Sequence, residues 1–227
     1  MSTDKVGNGS GATGAIKEAK RHNEIAAGAP VTLSRLRTDL VKIPIVGKTP
    51  LIMNRFSEKA KRMMLDKQQG KASPKKAPKN PVEDFEAAKY LLENGQLGFP
   101  ATGFKSAMVD ATTFFGKEVA GTTVRRAVWL MGEGSDQLVP IVGDCRMRED
   151  AVRLADINRT ADLRYRPEVW PWEAMLTIDY VSTSLTLDAI VALVDAAGRI
   201  GIGEWRPGAV KSKTGTYGTF RVAEERM

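Results

Sequence analysis

Cysteine and histidine are almost missing from this chain of 227 residues, which holds Cys145, His22 and no second copy of either. A lone cysteine permits no internal disulfide, so packing alone must hold the fold, and a reducing cytoplasm is the expected compartment. Cys145 itself reads as a small hydrophobe in a strand. No zinc-ligand spacing is present, and the one histidine falls in the Gly-, Ser- and Ala-rich first thirty residues, so neither a histidine-based nuclease nor a metal site is expected. The acids are scattered among lysines and arginines at no spacing that favours a carboxylate pair. No cofactor and no catalytic residue is therefore expected. Long apolar runs are missing as well: Ala189 to Ala197, among the longest, is interrupted by Asp195, far short of the ~18 residues a membrane span needs. The N-terminus lacks the order of a secretory signal, and residues 1–36 read as a flexible arm.

What is abundant is positive charge, with a formal net charge of +7. Such an excess suits a polyanionic partner, and without an apolar span that partner is expected to be nucleic acid rather than membrane. Nearly all of the excess sits in residues 57–80, where eight lysines and arginines face only Glu58 and Asp66. SEKAKRMMLDKQ in that stretch suits a short helix capped by Ser57, and GKASPKKAPKNP suits a loop. Together they read as a basic finger inserted after the first strand, within a larger insertion at about 57–96.

Around the insertion, residue patterning predicts a ferredoxin-like (RRM-like) α+β core, an antiparallel sheet with two helices on one face. VKIPIVGKTPLIM reads as a first strand broken by Gly47 and Pro50, PVEDFEAAKYLLE as a helix over 81–93, and GFPAT as a short strand. A helix started by Thr102 carries Phe104, Ala107, Met108, Ala111 and Phe115 on one face. VRRAVWLMGEG and the segment from Gln137 alternate as strands, with turns at Gly132–Gly134 and Gly143–Asp144. WEAMLTIDYVS is the clearest strand. LTLDAIVALVDAAG reads as a helix capped by Ser184 or Thr186 and ended by Gly198. The last unit is two strand-like pieces, beginning at IGIGEW, around a loop.

Two glycine clusters imitate nucleotide sites and fail the test of context. Gly47, Lys48 and Thr49 would end a phosphate-binding loop only if Lys42 were glycine, and Pro50 blocks the helix start. Gly198, Gly201 and Gly203 follow a helix, the reverse of a dinucleotide fingerprint. The candidate binding residues are instead the basic and aromatic side chains near element ends: Arg55, Lys59, Lys61, Arg62, Lys105, Arg199, Trp205, Arg206, Lys211, Lys213 and Tyr217. Trp205 and Tyr217 flank the terminal loop and suit stacking on bases, although either fits a core equally well.

GFPATGFKSAMVDA (98–111) and GIGEWRPGAVKSKTGTYGTFRV (201–222) together resemble the RAMP (repeat-associated mysterious protein) superfamily of CRISPR systems. The first matches a proline and small residue before a lysine-bearing helix. The second matches a Gly-x-Gly, a variable spacer and Gly-x-Tyr-Gly-x-Phe before the closing strand. The resemblance covers roughly residues 38–223. It implies an RRM-like domain that binds one strand of RNA or DNA, with an insertion in the place of residues 57–80 that touches the nucleic acid and the next copy. It implies further copies stacked head to tail, and other subunits of an antiviral effector complex as partners. Two alternatives stay open: a phage-type single-strand annealing or recombination protein, and a structural assembly protein whose basic face is incidental.

Overall fold

The computed structural model describes residues 33–71, 78–153, 161–210 and 214–224, apart from the side chains of residues 59 and 60. The chain divides into Met1–Leu36 and Arg37–Met227, and the fold is that of the second unit; the N-terminal arm falls almost wholly outside the described residues. In chain order come β1 (Thr38–Gly47), β2 (Leu51–Ile52), α1 (Glu58–Gln68), α2 (Pro81–Ala87), β3 (Gly98–Pro100) and α3 (Ala101–Ala111). A 3₁₀ turn (Thr112–Phe115), α4 (Gly121–Ala127), β4 (Val128–Met131), β5 (Leu138–Arg153), β6 (Ala161–Val181), α5 (Leu187–Ile200) and β7 (Phe220–Val222) follow. The result is a mixed α/β fold on an antiparallel sheet in the order β3-β5-β6-β1-β7, with β2 and β4 also paired to β6.

Alternation decides which face is buried. Ile43 and Ile45 of β1 and Trp172, Ala174, Leu176, Ile178 and Tyr180 of β6 are buried, whereas Leu40, Lys42, Glu173 and Met175 between them are exposed. The buried set packs with Phe104, Ala107, Met108 and Ala111 of α3 and Ile190, Leu193, Val194 and Ala197 of α5 in one core. A chain of edge-on aromatic contacts, Tyr90–Phe99–Phe104–Phe220–Trp172, runs through it at centroid distances of 5.7 to 6.1 Å. Such contacts add ~0.5–1.5 kcal/mol each to area burial.

The first strand breaks as expected, and its broken part has a structural role. The Trp172 indole N–H donates to the Thr49 carbonyl at 2.8 Å, and the Thr49 and Thr219 hydroxyls lie 2.9 Å apart. The Gly-Lys-Thr run is thus a bulge that moves the chain from β1 to β2 beside the same partner, β6.

Several expected boundaries differ. Gly143–Asp144 is not a turn: β5 runs through it, and the register slips between Ile141↔Ala174 and Cys145↔Val169. β6 carries the extra residue, so its even-numbered side chains, core-facing above the slip, turn to the opposite face below it. Accordingly Leu51, opposite Val169, joins the main core, whereas Ile52, opposite Glu168, does not. The expected strand over Val124–Ala127 is part of α4, because buried Val124 and Ala127 keep helical spacing against the core. The helix from Pro81 stops at Ala87, and residues 88–93 are not helical. α3 begins at Ala101 behind Pro100 with no side-chain cap, so Thr102 is not its N-cap. IGIGEW is not a strand; the chain from Gly201 to Thr219 holds no strand among its described residues.

Gly198 does not end α5, which continues to Ile200. A Cβ at Gly198 would come within 2.0 Å of the Phe220 carbonyl oxygen, so glycine is there to let β7 cross the helix closely. Alanine in place of glycine in an open helix stabilises by up to ~1 kcal/mol. At this contact the sign reverses, and Gly198→Ala should cost ~1–3 kcal/mol, a fall of several degrees in thermal melting. A raised melting temperature would show that β7 does not cross there.

Candidate nucleic-acid interface

Below the slip, β5 and β6 carry the same pattern, Arg-x-Arg-x-acid: Arg146, Arg148, Asp150 and Arg164, Arg166, Glu168. Antiparallel pairing sets Arg146 opposite Glu168, Arg148 opposite Arg166 and Asp150 opposite Arg164. Two acids therefore flank one like-charge pair, on the face turned away from the helices. The Arg146 and Arg148 guanidiniums both reach Glu168, with Arg146 Nε at 2.7 Å from one oxygen and Arg148 Nη1 at 2.8 Å from the other. Arg148 Nε also donates to Asp150 at 2.7 Å.

The terminal glycine-rich segment folds over this ladder. Ile202 N–H donates to the Gly218 carbonyl at 3.0 Å, Gly218 N–H to the Pro50 carbonyl at 2.8 Å, and Glu204 N–H to the Ile52 carbonyl at 2.9 Å. Gly218 has φ +64 and no room for a Cβ, which would meet the Ile202 carbonyl oxygen at 1.8 Å, so only glycine closes this clasp. The clasp brings Trp205 and Tyr217 together with ring centroids 6.1 Å apart. The Arg148 guanidinium lies 5.5 Å from the Trp205 ring and 4.8 Å from the Tyr217 ring, and that of Arg166 lies 4.9 Å from Trp205. The two aromatic residues remain half-buried, with Arg146 exposed beside Glu168.

The other expected binding residues are dispersed. Arg206 donates to the Gly203 carbonyl at 2.9 Å within the clasp. Arg55 faces Asp136 at 3.6 Å. Lys61 and Arg62 lie on α1, whose described side chains are all exposed except that of Asp66, and Lys61 pairs with Glu58 at 2.7 Å. Lys105 reaches the face of Trp129 at 5.8 Å, and Arg199 lies in a groove with Phe114, Phe115 and Asp195. The Lys59 side chain, Lys211 and Lys213 lie outside the described residues. At the start of α3, the Ala101 N–H donates to the Gln137 carbonyl at 2.9 Å. A cavity of about 190 Å³ beside it is lined by Gly103, Ser106, Arg206 and Glu204, and Asn54 donates to Glu204 at 2.8 Å.

The residues missed from sequence are the six of the ladder. Their signal was the repeated Arg-x-Arg-x-acid pattern at strand period.

Burial alone would raise the Glu168 carboxyl, but the hydrogen bonds and charges of Arg148 and Arg146 outweigh it and hold the group below the usual glutamate range. A folded-state value below the unfolded one means stability that is complete above ~pH 4.3 and lost as pH falls through the folded value. Glu168→Gln leaves Arg148 short of an anion and should cost about 3 kcal/mol at pH 7. Acid titration of stability by urea melts should also flatten in the variant. An equal acid slope in both proteins would remove Glu168 from the ladder.

No family model matches the chain, and no curated protein sequence matches it. Among solved structures, it is similar to a chain in the cryo-EM structure of the Type III-B Cmr-beta bound to cognate target RNA. Identity is 10%, the match covers 93% of this chain and 64% of that one, and the TM-score is 0.43. It is also similar to Cmr6 in a crystal structure from Pyrococcus furiosus, at 10% identity, 83% of this chain, 100% of that one and a TM-score of 0.41. This chain thus spans less than two thirds of the first of these.

Proposed function

We propose that this chain is a non-catalytic binder of single-stranded RNA or DNA, gripping the strand where the glycine clasp meets the charged ladder of β5 and β6. The observation that carries this reading is the half-buried Trp205–Tyr217 pair set against Arg148 and Arg166. Aromatic faces take bases of any sequence, and guanidiniums take the phosphates between them. The order β5-β6-β1-β7 with α3 and α5 on one face supports the ferredoxin-like, RRM-like arrangement. Lys61 and Arg62 on α1 extend the positive surface, in keeping with a basic insertion that follows the strand.

Head-to-tail stacking of copies belongs to the same proposal. Leu40, Trp129, Met131, Val142 and Met175 are exposed on the sheet face opposite the helices. Apolar side chains exposed on one sheet face, even interspersed with polar ones, suit a contact between subunits. Such a filament would work inside an effector complex or, equally, in strand annealing. A strand-annealing assay, and a comparison of RNA with DNA affinity, separates the two.

Fluorescence anisotropy with two unrelated oligonucleotides across a salt series tests the binding. Affinity should fall linearly in log–log form, at ~0.7 units of slope per phosphate contacted. Replacing Lys59, Lys61 and Arg62 by alanine should lower affinity and slope for both sequences. Tyr217→Ala should lower affinity by ~1–3 kcal/mol with the slope unchanged, because stacking releases no counterions. A wild-type chain that binds neither strand, or that cuts a labelled one with Mg²⁺, would overturn the reading. Light scattering with strands of increasing length should show growth in particle mass, and a one-to-one complex at every length would exclude the filament.

A further inference from the structure

Arg166 is 3% exposed, yet its Nε and Nη1 have no hydrogen-bond partner. Its nearest carboxylate oxygen, Asp150 Oδ2, stands 3.9 Å from Nη1 and is itself without a partner. A buried guanidinium in that state forfeits the hydrogen bonds it made to water, a loss of ~1–3 kcal/mol or more for a charged group. Trp205 covers a face of the guanidinium at 4.9 Å but accepts no hydrogen bond from its edge. The cost implies a ligand that restores those bonds.

Arg166 also lines a cleft of about 280 Å³ between the hairpin and the segments that follow β2 and precede α2, with Arg55, Lys79, Arg164, Asp84 and Asp162 around it. The four cations there outnumber the two acids. Asp162 is already neutralised, since Lys79 is bonded to it and Arg164 Nε approaches it at 3.9 Å. Arg55 is held only at 3.6 Å by Asp136, whose side chain is 60% exposed, a pair worth little and readily exchanged. The cleft is smaller than the ~300 Å³ at which sites for drug-sized ligands begin, so it suits a phosphate and its sugar better than a whole nucleotide.

We infer that this cleft is a phosphate-binding pocket in which Arg166, Arg164 and Arg55 take one phosphate of the bound strand. A guanidinium fork matches two phosphate oxygens at once, which a lysine does not, and three arginines lining one cleft suit an anion with several oxygens to share. The inference rests on the strand-binding reading above and adds a defined seat for one phosphate, one face of whose Arg166 is fixed by the same Trp205 that is proposed to stack on a base. The phosphate belongs either to the end of a strand or to its interior, and both present the same oxygens.

The test uses the full chain, its Arg166→Gln and Arg164→Gln variants, and oligonucleotides of one sequence with a 5′-phosphate or a 5′-hydroxyl. Both variants are expected to bind about tenfold or more weakly, with a log–log salt slope reduced by ~0.7. Inorganic phosphate at millimolar concentration should raise the melting temperature of the wild-type chain and leave that of Arg166→Gln unmoved. A wild-type preference for the 5′-phosphate that disappears in the variants assigns the pocket to a strand end. Equal weakening for both oligonucleotides assigns it to an internal phosphate. Arg164 is 41% exposed, so its variant carries the test if Arg166→Gln does not fold. A wild-type chain that binds the strands while both variants match its affinity and slope would overturn the pocket alone; a wild-type chain that binds neither strand would overturn the function on which it rests.

Discussion

Two arginines placed directly opposite each other, Arg148 on β5 and Arg166 on β6, set the constraint on which the rest of the site depends. Like charges across a strand pair repel, and burial strengthens the repulsion because water no longer screens it. The chain offsets this pair with Glu168 and Asp150 two residues along on either side, and with aromatic faces laid over both guanidiniums. Glu168 is shared by Arg146 and Arg148, whereas Arg166 receives no comparable anion. Compensation is therefore complete for one arginine and partial for the other, and the partial one faces a cleft.

The aromatic cover comes from a distant part of the chain, so the ladder and the terminal segment depend on each other. Trp205 has φ +51, a conformation a bulky residue adopts only when its surroundings demand it. The demands are visible in the clasp: Tyr217 N–H on the Trp205 carbonyl at 3.2 Å, and Gly218 on Pro50 at 2.8 Å. On the opposite face the helices bury an aromatic and aliphatic core with ordinary alternation. The sheet thus separates a core face from a charged face, and the extra residue in β6 turns Arg166 and Glu168 onto the second.

Legibility followed the range of the interactions. The β1 break at Gly47 and Pro50, the helix α5 and the short β3 are local, and residue pattern predicted all three. The strand read into Val124–Ala127 was wrong because β-branched and apolar residues fit either period over so short a stretch. The turn read at Gly143–Asp144 was wrong because glycine marks bulges as well as turns. Trp205 and Tyr217 were picked out as base-stacking candidates, and the structure shows what they also rest on: arginines whose pattern went unread.

The sequence by itself determined a basic, disulfide-free α/β chain with an antiparallel sheet, its apolar faces, and a terminal glycine segment able to pass close to other backbone. Those properties follow from composition, period and the freedom of glycine, none of which needs a partner to act. Only the tertiary structure decided that Arg148 meets Arg166, that Trp205 covers both, and that Arg166 ends buried without a full set of hydrogen bonds. Together they depend on a one-residue slip between β5 and β6 and on contacts between residues 18 to 57 positions apart. Such pairings are selected by the packing of the whole sheet; the local Arg-x-Arg-x-acid pattern marks the residues and not their partners.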